Sequence, residues 1–293
     1  MNFRRIVSVV AAAAVAASAA SFCAFAEEDA PAGYVYFMAD KITIGQGFTV
    51  QPTKVPFYEG DTGIDVVERA AEITTEDSGY GAYITAFADT DFETELPAAI
   101  AEVCPEMTGR NTEGYLGSMD YTAESGWSYF VNDEYAQVGI ADYIPADGDV
   151  VCFEFTVYGY GADLGIDNSS WGGAAALKEQ VNKAELIKLC AEAKESGLDE
   201  DYIYVGAMEV LVVYEASQEE VDAAVNSMEG LLSGELNDGT AATTEAEPTV
   251  EVPTAVEDGG DKGSPATGVE GVAVAFAAVI LAGAGIALFR KHN

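Results

Sequence analysis

The feature that most limits what this chain can fold into is an unbroken apolar run from Gly271 to Phe289, closed by Arg290-Lys291-His292-Asn293. About nineteen apolar residues rising ~1.5 Å each make a helix of roughly 28 Å, which matches a bilayer core. Residues 269–289 are therefore expected to be a transmembrane helix, and the two cations after it predict that 290–293 stay cytoplasmic. The other end reads in the same sense. Arg4 and Arg5 precede an Ala-rich apolar stretch from Ile6 to Ala20, and Ala24-Phe25-Ala26 offers the small, any, small pattern that signal peptidase accepts. Residues 1–26 are expected to be a signal peptide, cleaved after Ala26 with Ala24 as the second small residue. The folding problem is thereby confined to the segment between, on the outer side of a membrane.

That segment is strongly acidic. The chain carries 13 Lys and Arg against 50 Asp and Glu, a net charge of −37. Such a surface repels phosphate backbones, so no nucleic-acid partner is expected. His292 is the sole histidine, and on the predicted topology it lies on the cytoplasmic side of the helix. Ser-His-Asp and Cys-His catalysis, imidazole bases and histidine zinc sites are excluded outside the cell on that reading. Composition leaves room for a carboxylate pair of the glycosidase kind. In a chain this acidic, however, neighbouring carboxylates read first as a solvated face, and no enzyme is expected. Once Cys23 leaves with the signal, Cys104, Cys152 and Cys190 remain, an odd number without short spacing. That is neither a disulfide framework nor a zinc site, so buried free thiols are expected and no metal ligand is assigned.

Between 33 and 162 the chain is rich in Tyr, Phe, Val and Ile, with Gly, Pro and Asp at short intervals, which predicts a mainly antiparallel β-domain. Strands are expected at Gly33 to Met38, Phe48 to Val55, Tyr80 to Ala86, Trp127 to Val131 and Val150 to Tyr158. In the last, Val151, Phe153, Phe155 and Val157 face away from Cys152, Glu154, Thr156 and Tyr158, the alternation of a sheet with one buried side. Ile64, Val67, Ala70 and Ala71 fall at helical spacing after Asp61-Thr62 and predict one short helix. Asn132-Asp133 and Asp147-Gly148-Asp149 read as tight turns.

Over 172–236 the period changes to 3.6 and predicts a three-helix module. The first helix is expected on the stripe Leu177, Val181, Ala184, Ile187 and Cys190, and the second from Asp201 to Tyr214. The third opens on a capping box with Ser217 at N-cap and Glu220 at N3. Residues 237–263, acidic and rich in Thr, Ala, Pro and Gly, read as a disordered linker. The fold class is therefore α+β: a mainly antiparallel β-domain with one short helix, then a three-helix bundle, a disordered linker and one C-terminal transmembrane helix.

Three stretches resemble known families. Gly126-Trp127-Ser128-Tyr129-Phe130-Val131-Asn132, Gly139-Ile140-Ala141-Asp142-Tyr143 and Pro145-Ala146-Asp147-Gly148-Asp149-Val150 resemble the C-terminal β-domain of transcobalamin and intrinsic factor, and the related transcobalamin-like domain (DUF4430) of bacterial surface proteins. Tyr58 to Val67 and Tyr80 to Ile84 fit the early part of that domain, so the resemblance spans 33–162. In the animal carriers the corresponding region helps cover a corrinoid. The resemblance thus implies a ligand surface edged by Trp127, Tyr129, Asn132, Gly139, Ile140 and Tyr143, with cobalamin or another corrinoid as a candidate ligand and no resident cofactor. The residues themselves leave Trp127, Tyr129 and Tyr143 open between core and the lining of a recess.

Leu177 to Glu185 and Ala216 to Ala224 resemble the FIVAR module of Gram-positive wall proteins, implying a helical spacer or sugar-proximal module over 172–236. Ser264-Pro265-Ala266-Thr267-Gly268 resembles the LPXTG-like cell-wall sorting signal, with Ser264 where that signal carries Leu. It implies sortase and peptidoglycan as partners, cleavage after Thr267, and the surface of a Gram-positive bacterium as location. The functional expectation is a non-catalytic surface protein that binds a small molecule, peptide or glycan. An adhesin or structural wall protein is the alternative.

Overall fold

The computed structural model describes residues 30–234, apart from 78, 80, 92, 111 and 112. The expected signal peptide (1–26), linker (237–263), sorting motif (264–268), transmembrane helix (269–289) and cytoplasmic tail (290–293) lie outside them. Among the described residues no helix is long and apolar enough to cross a membrane.

In chain order the elements are β1 (Gly33–Asp40), β2 (Phe48–Phe57), α1 (Gly63–Ala70), β3 (Ile73–Asp77), β4 (Ala82–Ala88), α2 (Ala98–Val103), β5 (Tyr115–Gly117), β6 (Gly126–Val131), β7 (Glu134–Tyr135), β8 (Val150–Thr156), α3 (Ala184–Glu195), α4 (Tyr202–Leu211) and α5 (Gln218–Ser233). Two sheets result, one ordered β2-β1-β8-β6-β7 and one ordered β3-β4-β5. The pairings are antiparallel except β1 with β8, which run parallel. The class is mixed α and β with largely antiparallel sheets. Three strands and a second helix in this half, β3, β5, β7 and α2, went unread in the sequence because each is short and weakly patterned.

Local chemistry explains the element starts. Asp65 caps the start of α1, its Oδ2 accepting from both the Thr62 amide and the Thr62 hydroxyl at 2.7 and 2.8 Å. At α5 the expected capping box is present: Glu220 N–H donates to Ser217 Oγ at 3.3 Å and Ser217 N–H to Glu220 Oε2 at 2.7 Å. The expected first helix, in contrast, begins only at Ala184. Asn182 Oδ1 accepts from Ala184 N–H at 3.1 Å, which starts the helix there. Upstream, Leu177 N–H bonds the Ala162 carbonyl at 2.9 Å, and its side chain joins a core other than the one Ile187 and Cys190 enter.

The sheet's two faces are both covered. Val35, Phe37, Ala39, Val151 and Phe153 meet Val66 and Val67 of α1 and Ile84 and Phe87 of β4. On the other side Tyr36, Met38, Val150 and Cys152 share a core with Leu186, Cys190, Leu211, Val221 and Met228 of α3 to α5. The alternation in β8 therefore marks two different dry environments and not one buried side. Cys152, on the strand face opposite the expected apolar one, is 6% exposed because the helical layer lies on it. The three helices, expected as a module of their own, are one layer of a compact unit that runs to Ser233. Cys104, Cys152 and Cys190 are all free and buried.

Candidate functional site

Of the residues that the sequence nominates, Asn132, Gly139, Ile140 and Tyr143 lie on the β6–β7 turn and the β7–β8 connection, Tyr129 is in the middle of β6, and Trp127 stands apart near the start of that strand. Asn132 and Asp133 both have positive φ, 52° and 70°, which makes the two-residue turn whose twist suits a hairpin. Asn132 then reaches across to the start of β8: its Nδ2 donates to Asp149 Oδ1 and its Oδ1 accepts from Val150 N–H, both at 2.9 Å. Gly139 begins a tight turn, accepting from the amides of Asp142 and Tyr143 at 2.9 and 3.1 Å. Gly148, at φ 90°, makes the last turn before β8, a backbone conformation that glycine adopts without strain.

The large side chains of this group are spent on the fold. Trp127 donates its indole N–H to the Leu116 carbonyl at 2.9 Å, and its ring sits 4.6 Å from Phe87 and 5.2 Å from Phe155. Tyr129 stacks on Phe153 at 5.3 Å, and its hydroxyl donates to the Val138 carbonyl. Burial, with the nearby Tyr135 and Asp142, pushes that phenol up to about 12. Ile140 is 3% exposed and abuts Gly63, where a Cβ would lie 2.5 Å from Ile140 Cδ1. The Tyr143 hydroxyl donates to Asp149; burial and that bond raise its pKa well above the usual phenol range. Asp149, unmarked as a site residue in the sequence, is the hub that ties Asn132, Tyr143 and the Ala146 amide together. What this region leaves on the surface is Tyr135, Val138 and Ile144, the last 68% exposed.

A cleft of about 520 Å³ lies elsewhere, with Ile42 and Gly45 to Gly47 on one wall, Glu95 to Ala98 on the second and Val212 to Glu215 on the third. It is open to solvent, so it would cover only part of a small ligand. Ile42, Leu96, Val212 and Tyr214 give it apolar walls; Gln46, Glu95 and Glu215 are its polar and charged groups. Gln46 donates to the Glu93 carbonyl through Nε2, while its Oε1 is buried without a partner. The sequence gives no hint of this site: its walls are far apart in the chain, and Val212 to Tyr214, expected as the end of the second helix, lie beyond that helix, which stops at Leu211. The chemistry available there is recognition by shape, backbone and amide, with two carboxylates disfavouring an anion.

One family model matches part of the chain. It is Domain of unknown function (DUF4430), and it covers residues 112–157. The matched stretch takes in β5, β6, β7 and β8, and with them Trp127, Tyr129, Asn132, Gly139, Ile140 and Tyr143. The cleft lies outside it. No match was found among curated proteins.

Proposed function

We propose that this chain is a non-catalytic cell-surface protein that binds a neutral or cationic small ligand. The cleft between Gln46, Leu96 and Val213 carries the reading, because it joins apolar walls to a few polar groups on a scaffold fixed by two sheets and a helical layer. The acidity of the chain and its single histidine, His292, favour binding over catalysis. Val213 is 47% exposed, so Val213→Arg closes the cleft without disturbing the core. Calorimetric titration of the purified protein with cobalamin and cobinamide is expected to give heat that Val213→Arg abolishes at unchanged Tm. Absence of heat with both removes the corrinoid form of the reading. Exposed Tyr135, Val138 and Ile144 favour the alternative, an adhesin, and heat that survives Val213→Arg but falls in Ile144→Asp moves the site to that surface.

The location is part of the proposal. A signal peptide at 1–26, a transmembrane helix at 269–289 and a sortase-type motif at 264–268 would place the described unit outside a Gram-positive cell, joined to peptidoglycan through Thr267. The FIVAR-like reading gives the helices at 172–236 a spacer role near the wall. Thr267→Ala is expected to move the protein from the wall digest to the detergent-soluble membrane fraction. If Thr267→Ala leaves the protein in the wall digest, its attachment does not run through Thr267.

A further inference from the structure

Four residues on two paired strands set up a second site. β1 and β8 run parallel with Met38 opposite Cys152 and Asp40 opposite Glu154. Residues two apart share a face of a strand, so Asp40, Cys152 and Glu154 all look toward the helical layer that Met38 and Cys152 help to bury. One carboxylate oxygen from each acid and Cys152 Sγ lie within 4.8 Å of one another. Asp40 is 1% exposed and its Oδ2 has no hydrogen-bond partner. Its Oδ1 has only the Ile42 amide, at 3.4 Å. An orphaned carboxylate oxygen in the interior is costly.

We infer that Asp40, Cys152 and Glu154 form a binding site for a divalent transition-metal cation of the zinc class. A thiolate beside two carboxylates selects such a metal over calcium or magnesium, which take all-oxygen shells. Three protein donors leave a fourth position for water. Donors at about 2.0–2.3 Å from zinc stand roughly 3.3–3.7 Å apart on a tetrahedron, so the cluster must contract by about an ångström. Glu154, half-buried at the margin, is the ligand free to move.

The surrounding charges support a cation. Asp133, Lys178 and Lys183 face the cluster together with the three donors. Neither lysine forms an ion pair with Asp40 or Glu154 among the described residues. Lys183 Nζ is held by the Leu211 carbonyl at 2.9 Å and Lys178 Nζ by that of Tyr214 at 3.1 Å. With the carboxylates of Asp40, Asp133 and Glu154 and the Cys152 thiol all ionised, four negative groups face two positive ones, a surplus that one divalent cation balances. Without it, burial and the Glu154 charge push Asp40 up to about 7, and burial holds the Cys152 thiol well above its ordinary range. Protons then stand in for the metal.

Cobalt(II) added to the metal-stripped full-length protein tests this, because a thiolate ligand produces a near-ultraviolet sulfur-to-cobalt charge-transfer band that carboxylates alone do not. One equivalent is expected to develop the band. Cys152→Ser should abolish it, Asp40→Asn and Glu154→Gln should weaken cobalt binding about tenfold or more, and Cys104→Ala should leave it intact. Glu154→Gln alters a half-buried margin residue, so a folded variant is available even if the two buried ones fail. The inference is overturned if no band appears, if cobalt binds without it across the acidic surface, if the band survives Cys152→Ser, or if Glu154→Gln binds as tightly as the parent.

Discussion

Asp40 and Lys41 are chain neighbours at the end of β1, both almost fully buried, yet they enter opposite kinds of surroundings. Lys41 Nζ lies 2.5 Å from Asp89 Oδ2, and Thr49 Oγ1 donates to the same oxygen at 3.0 Å. Asp89 Oδ1 takes Arg110 Nη2 at 3.1 Å and the Asp91 amide at 2.9 Å. Every charge there has an opposite charge and a hydrogen bond. On the other face Asp40 keeps a bare oxygen beside a thiol and a second acid. Burial alone therefore decides nothing about a charged group; the partners do. The saturated cluster joins β1 and β2 to the segment after β4 and so ties the two sheets. The unsaturated one makes no such tie among the described residues, since Asp40 Oδ2 has no partner.

The sharpest way to break this contrast is to remove one partner from each cluster. Asp89→Asn leaves Lys41 and Arg110 against a neutral amide, and loss of one member of a buried ion pair costs about 3–5 kcal/mol. Urea unfolding should report a loss of that size. A loss below about 1 kcal/mol would mean that water reaches Lys41 and Arg110, and that the two clusters differ less than their geometry says. Burial raises the Asp89 pKa, but the Lys41 hydrogen bond, the Asp91 amide and the charges of Lys41 and Arg110 outweigh it and hold the carboxyl below its ordinary value. Its stabilisation is thus present above the unfolded value of ~3.9 and lost as pH falls through the lower folded one.

How much of this was legible in the sequence follows from the same residues. The five long strands, α1, the α4 segment, the Asn132-Asp133 turn and the Ser217 capping box were readable because each depends on local spacing or turn chemistry. The helical covering of the sheet was not, because Cys152, Glu154 and Thr156 in β8 look like a solvent face to any rule of alternation. Only the stacking of α3 to α5 on Met38 and Cys152 makes that face interior. The polar clusters were invisible for a related reason. Lys41, Asp89 and Arg110 are far apart in sequence, as are Asp40 and Cys152, and among so many acids none stands out. The aromatic motif was found, but its residues turned inward: Trp127, Tyr129 and Tyr143 spend their donors on Leu116, Val138 and Asp149.

The second half of the comparison carries the smaller effect and the opposite sign. In metal-stripped protein, the folded Asp40 holds its proton up to about pH 7, whereas the unfolded chain releases it near ~3.9. Between those values the native state binds more protons, so stability falls as pH rises through the window. Burial lifts Asp133 and Asp163 to about 6, which adds to the decline in its lower part. Asp40→Asn removes the Asp40 share: at pH 8 the variant should be more stable than the parent by on the order of 1–3 kcal/mol, and at pH 4 the gain should vanish. Tm measured across pH 4 to 8 separates the cases. A variant less stable than the parent at pH 8 would show that the Asp40 carboxylate is already compensated when no metal is bound. Lys178 and Lys183 would then be its true partners, and the two faces of β1 would be alike after all.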